Sequence, residues 1–355
     1  MVKQPAIVLA DGYLQKPNGK GAHGLVRGTD RFDILAVVDR SCAGQDAGVA
    51  LDGNHRDIPV VASIADAMTY GATRPTHAIV GIATHGGRFT DEVRSWILES
   101  ISNGLNIING LHDAASEDDE IRERALAAGV ELTDLRLPKP KRELHFWTGE
   151  IVNVKAPRIA ILGTDCAIGK RTTARMLMQA LRNNGLKAEM IYTGQTGWMQ
   201  GAPHGFVLDS VANDFVSGEL EHAIVGCDRE LNPDVILIEG QSSLRNPSGP
   251  CGSEMLCSGL ASGVVLQHAI GRDYFEGYEK EGFLVPQPAD EIALIAHYGA
   301  RTLAVTINTK GVEPADVMQK KRQMTEELNI PVVDPVVEGV DSLVPTLKSF
   351  LESTR

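Results

Sequence analysis

Two parallel α/β domains, each a sheet covered by helices on both faces, are predicted from three observations. Short runs rich in Ile and Val, each closed by Gly, Asp or Asn, recur along the whole chain. Segments with helical spacing separate them, and one proline-rich basic stretch interrupts the alternation. An apolar run without polar alternation is a strand buried on both sides, the condition of parallel strands between helices.

Taken in order, AIVLA (6–10), DILAVVD (33–39), HAIVGIA (77–83) and LNIING (105–110) are the strands of the first domain. TDEVRSWILESISNG (90–104) and SEDDEIRERALAAG (116–129) are its clearest helices. The second of these opens on Ser116 and a group of acids, which suit the positive end of a helix, and stops at Gly129. PKPKRELHFWTGEIVNVKAP (138–157) then brings three prolines and four Lys or Arg with little periodicity, which puts a domain boundary between residues 145 and 146. The pattern restarts with RIAIL (158–162), KAEMIYTG (187–194), DVILIEG (234–240), GVVLQHA (263–269), TLAVTIN (302–308) and PVVDP (331–335). The expected domains are therefore 1–145 and 146–355.

Bulk properties narrow the function. A chain of 355 residues can give each of two domains its own core. A net charge of -12 argues against a nucleic-acid partner, which needs clustered Lys and Arg. Cys42, Cys166, Cys227, Cys251 and Cys257 form no C-x-x-C pair and no zinc spacing, which fits a reducing cytoplasm. The N-terminal apolar run is too short for a signal peptide, and no run approaches membrane-spanning length. A cytoplasmic homo-oligomer without membrane association is expected.

RIAILGTDCAIGKRTTARML (158–177) carries the chemistry: a strand, a glycine-bounded turn, a lysine and a helix start. Backbone N–H groups turned inward, a helix N-terminus and the Lys170 charge together make a phosphate grip. Two details depart from the usual P-loop. Five residues separate Gly163 from Gly169, and Arg171 follows the lysine where a magnesium-binding Ser or Thr is usual. Residues Gly163, Thr164, Cys166, Ala167, Ile168, Gly169, Lys170, Arg171 and Thr172 are accordingly expected to hold the phosphate-bearing ligand.

GTDCAIGK is similar to the loop of dethiobiotin synthetase and related amidoligases, and IEGQSSL (238–244) to their later Glu-Gly motif. A wider resemblance runs through AHGLVRGTDRFDILAVVD, GLNIINGLHD, GTDCAIGKRTT, YTGQTGWM and EGQSSL. Together these resemble the family of D-glutamate N-acetyltransferases. The resemblance implies a Rossmann-like domain followed by a P-loop NTPase-like one, and acetyl transfer from acetyl-coenzyme A to the amine of D-glutamate. Coenzyme A also suits both departures of the loop. Its phosphates are gripped and never cleaved, so no metal is expected, and Arg171 can supply a forked cation instead.

Further roles are expected along the chain. Glu239, ending the apolar strand VILIE, is the expected general base, with Lys170 and Asp165 completing the catalytic set. Asn308 stands where P-loop relatives recognise adenine. ATHGGRF (83–89) offers an anion pocket with Arg88, and Gln195, Thr196, Gln241 and Ser242 are the remaining substrate candidates. Trp198 packs. His85, His112, His204 and His268 each follow or end a strand, and such lone histidines are commonly structural. GKGAHG (19–24), with Asp39 twenty residues after Gly19, has dinucleotide-fingerprint spacing. The first strand ends too early for that motif, so a loop capping a helix near Ala22 is preferred. The alternative activity is an ATP- and magnesium-dependent ligase or kinase of the dethiobiotin-synthetase type, with Asp165 and Glu239 as metal ligands.

Overall fold

The computed structural model describes residues 2–354. Contacts divide the chain into two compact units: residues 1–139 with 195–202, and residues 140–194 with 203–355.

The first unit is built on six strands: β1 (Gln4–Leu9), β2 (Phe32–Val38), β3 (Val60–Val61), β4 (His77–Val80), β5 (Asn106–Asn109) and β6 (Leu132–Asp134). They are all parallel, in the order β3-β2-β1-β4-β5-β6. Ile7, Val8 and Leu9 of β1 and Ile79 and Val80 of β4 are buried, as strands covered on both faces require. Two helices carry the caps their sequences provide. Thr90 accepts from Val93 N at the start of Asp91–Ser102, and Gly129 ends Asp119–Ala128 at φ +67°. The second helix begins later than Ser116 suggests. Asp118 is its cap, while Ser116 sits in a preceding turn and donates to Asp134 Oδ2 at 2.6 Å.

Asp39 explains the dinucleotide-like spacing. It is fully buried, and its carboxylate accepts from Gly12 N and Leu14 N, both at 2.9 Å. The acid thereby pins the turn after β1, and Ala22 N donates to the Gly81 carbonyl at 2.7 Å as the following helix, Lys20–Arg27, packs against the sheet.

Residues 195–202 are remote in sequence yet complete this unit. Met199 lies in its apolar core, and the Thr29 hydroxyl donates to the Met199 carbonyl at 2.8 Å. The Gln200 amide donates to Gly24 O and Gly28 O, and the Arg31 guanidinium stacks 4.0 Å from the Trp198 ring centre. Trp198 packs, as expected.

The second unit holds β7 (Arg158–Gly163), β8 (Ala188–Tyr192), β9 (His204–Gly205), β10 (Val235–Glu239), β11 (Gly263–Ala269), β12 (Arg301–Asn308) and β13 (Val332–Val333). These too are parallel, in the order β13-β12-β11-β7-β10-β8-β9. β7 therefore lies between β10 and β11, with Glu239 in register with Ile161. A Cβ added at Gly240 would lie 2.1 Å from the Ile161 carbonyl, so only glycine lets the chain turn there. Among the described residues no helix is long and apolar enough to cross a membrane.

Met199 is 1% exposed within the first unit's core. Met199→Ala should therefore destabilise that unit by about 2–5 kcal/mol, read as a lower urea midpoint in its unfolding transition.

Candidate functional site

At the end of β7 the chain enters the loop Thr164–Gly169 and then the helix Lys170–Asn183. Gly163 has no room for a side chain, since a Cβ would stand 2.9 Å from both Ile168 Cδ1 and Lys170 Cδ. Gly169 takes φ +114° to start the helix, a backbone shape that favours glycine. No side chain caps that helix, and no acid lies in its first turn. Its positive end is left to an anion.

The neighbouring strand β11 underpins the loop. Thr164 N donates to Gln267 O at 3.0 Å, and the Gln267 side-chain oxygen accepts from Thr173 and Thr306 hydroxyls, both at 2.6 Å. Thr164 Oγ1 lies 2.9 Å from His268 Nδ1. Burial pushes the His268 imidazole down to about 4, with Lys320 adding to the effect, so the ring is neutral near pH 7. His268 is thus a structural histidine under the loop.

Lys170 is buried, and its ammonium donates to the Asp165 and Ser242 carbonyls, each at 2.6 Å. Burial lowers its pKa, against the pull of nearby acids. Ser242 reaches that position with φ +38°, uncommon for a residue with a side chain. Cys166 Sγ donates to Ser242 Oγ at 3.4 Å.

Glu239 ends β10 and is buried. Thr193 N donates to its Oε2 at 3.1 Å, and Gly194 N also bonds it. Burial raises its pKa above the ordinary glutamate range, while Arg171, the Thr193 bond and Lys170 pull the other way. Thr193 Oγ1 donates to the Glu239 carbonyl at 2.7 Å and accepts from the Gln241 amide at 3.1 Å. A buried, oriented carboxylate therefore closes one side of the phosphate loop.

Asp165 is fully buried and fully engaged. Its Oδ1 accepts from Cys166 N at 2.6 Å and the Asn246 amide at 3.1 Å. Its Oδ2 accepts from Arg272 at 2.6 Å and Glu276 N at 2.9 Å. Four donors leave this carboxylate little capacity for a further ligand. Asn308 likewise holds the loop: its amide donates to the Ile168 carbonyl at 3.0 Å, and its oxygen accepts from Lys310 N at 3.0 Å.

The second unit thus brings together residues 163–172 with Glu239, Gln241, Ser242 and Asn308. Arg88, Gln195 and Thr196 belong to the first unit. Arg88 is exposed in the turn after β4, Gln195 lies against Gly110, and Thr196 is buried. Sequence reasoning missed Thr193, Asn246, Gln267 and Arg272. Gln267 and Arg272 had one available signal, since polar residues at and just beyond the carboxyl end of a central parallel strand face the ligand crevice.

Two family models match the chain. One, described as the P-loop domain of a domain of unknown function, DUF1611_C, matches residues 145–344. The other, the Rossmann-like domain DUF1611_N, matches residues 40–138. A protein of a Pseudoalteromonas species named D-glutamate N-acetyltransferase is 29% identical over 295 residues, covering 80% of this chain and 84% of its own length. A Tritonibacter scottomollicae protein of the same name is 25% identical over 274 residues, covering 76% and 80%. The crystal structure of a DUF1611 family protein from Anabaena variabilis superposes with a TM-score of 0.86 at 25% identity, covering 98% of this chain and all of the other.

His268 also predicts a pH dependence. Its pKa falls from 6.5 when unfolded to about 4 when folded, so the unfolded chain binds more protons between those values. Stability is lost as pH falls through that window. Between about pH 7.5 and about pH 5 the wild type should lose on the order of 2 kcal/mol more than His268→Asn, measured by urea denaturation.

Proposed function

The chain belongs to the DUF1611 family, and from that premise we propose that it is an acyltransferase moving the acetyl group of acetyl-coenzyme A to the amine of D-glutamate. One observation carries the reading. Adjacent strands β7 and β10 end in a phosphate loop with no hydroxyl directly after its lysine, and in a buried carboxylate of raised pKa. The names borne by the two relatives supply the transferred group and the acceptor class.

The chemistry assigns each group a task. The uncapped helix and Lys170 hold the donor's phosphates, for which Lys170 exchanges carbonyl partners for phosphate oxygens. Arg171 adds a fixed positive charge beside the loop. The substrate ammonium gives a proton to Glu239, whose raised pKa makes it a better acceptor than an ordinary glutamate. The free amine attacks the thioester carbon. A C–N bond forms, the C–S bond breaks, and the leaving thiolate takes up the second proton that the nitrogen loses in becoming an amide. Gln241 and Ser242, on the turn leaving Glu239, orient the amine. The commitment of Asp165 to four donors favours a metal-free grip over the ATP- and magnesium-dependent alternative, which needs that carboxylate as a ligand.

Purified protein with acetyl-coenzyme A should release free thiol with D-glutamate and far less with L-glutamate. Failure of every acidic amino acid to release thiol would overturn the assignment. Activity should survive EDTA, and Lys170→Ala should weaken coenzyme A binding by about 1.5–3 kcal/mol, read by calorimetry. Loss of activity in EDTA with rescue by magnesium and ATP would instead establish the ligase or kinase.

Glu239→Gln keeps the side chain's size but cannot accept a proton. Turnover should fall about 100-fold or more, with coenzyme A affinity little changed. Because burial raises Glu239, its base form is lost as pH falls through a value above the ordinary glutamate range. The acid limb of the wild-type kcat profile should lie there and vanish in the variant.

A further inference from the structure

We propose that Arg272 is a positioning residue for the acyl donor, and that it ties the hairpin of residues 273–285 to the loop that holds the donor. The proposal rests on the reading that the loop after β7 holds the donor's phosphates. One Arg272 nitrogen donates to Asp165 Oδ2 at 2.6 Å and to the Cys166 carbonyl at 2.8 Å. A single guanidinium thereby fixes both the side chain of one loop residue and the main chain of the next.

The consequences run through the loop. Asp165 is 0% exposed, and a carboxylate there needs its opposite charge. Its own carbonyl is one of the two that hold the Lys170 ammonium. Its Oδ1 takes the Cys166 N–H at 2.6 Å, which sets the orientation of the peptide joining the two residues. Arg272 therefore governs, through Asp165 and Cys166, where the loop's backbone and its lysine point. It acts through the loop and not on a phosphate itself.

The second half of the clamp comes from the segment that follows. Phe275 N donates to Phe283 O and Val285 N to Asp273 O, both at 2.9 Å, and Tyr274 bridges Leu284 in antiparallel fashion. Residues 273–285 form a hairpin, and the Glu276 N–H within it closes on Asp165 Oδ2 at 2.9 Å. Arg272 and the hairpin that follows it thus meet the phosphate loop at one carboxylate oxygen, Asp165 Oδ2. The hairpin carries Tyr274, Phe283 and Leu284 exposed at its surface.

The test compares wild type with Arg272→Ala, Arg272→Gln and Arg272→Lys, using coenzyme A itself as the calorimetric probe and acetyl-coenzyme A in kinetics. Arg272→Ala should weaken coenzyme A binding by about tenfold or more and raise the donor KM by a similar factor. The KM for D-glutamate should stay within about threefold, because the acceptor does not depend on the clamp. Arg272→Lys should recover most of the binding, since an ammonium can donate to both Asp165 and the Cys166 carbonyl. A purely structural residue would instead lower the melting temperature without a donor-specific change. Where the alanine variant does not fold, Arg272→Gln serves, and wild-type affinity in either folded variant overturns the proposal. A fall in kcat with the donor KM unchanged also overturns it. Wild-type protein that binds no coenzyme A overturns the reading of the loop and this proposal with it; binding by wild type that survives in the variants overturns this proposal alone.

Discussion

Burying a charge is tolerated only when partners are fixed around it, and that constraint shapes the ends of β7, β10 and β11. Asp165, Lys170 and Glu239 are all buried within this one crevice. Each is met by a different device: four converging donors for Asp165, two carbonyls for Lys170, and backbone N–H groups with a nearby guanidinium for Glu239. The devices are unequal in strength. Asp165 has an arginine and three neutral donors, whereas the burial of Lys170 and Glu239 is only partly offset and pulls each toward its neutral form. Groups left in that condition are the ones most ready to exchange partners or protons.

Much of this was legible in the sequence, because long strands announce themselves. The apolar runs around residues 6–10, 158–162, 234–240, 263–269 and 302–308 all lie on central strands buried on both faces. The edge strands Val60–Val61, Leu132–Asp134 and His204–Gly205 did not stand out, since two or three residues are too few to show a period. The phosphate loop was legible for a different reason. Its glycines, lysine and helix start are contiguous, so chain order alone places them together.

The partners of that loop were not legible, and the reason is physical. Arg272 and Asn246 reach Asp165 across separations of 107 and 81 residues, and only the strand order β11-β7-β10 makes them neighbours. Asp39 shows the reverse failure. Its spacing from Gly19 imitates a nucleotide-binding signature, yet its carboxylate is spent on Gly12 N and Leu14 N. An acid at the end of a parallel strand can serve the neighbouring turn as readily as a ribose, and spacing cannot tell the two apart.

The placement of residues 195–202 in the first unit bears on how the protein is made. Folding during synthesis proceeds from the N-terminus, and domains generally form as units. Here the first sheet is fully translated by Asp134, but its core lacks Met199, and Thr29 and Gln200 lack each other's segments, until residue 202 has emerged. By then β7, the phosphate loop and β8 have also been made. The ribosome therefore delivers an unfinished first unit together with the beginning of the second. Cut at the linker, the N-terminal part of the gene encodes an incomplete first unit, and the C-terminal part encodes the second unit together with the missing residues 195–202 of the first.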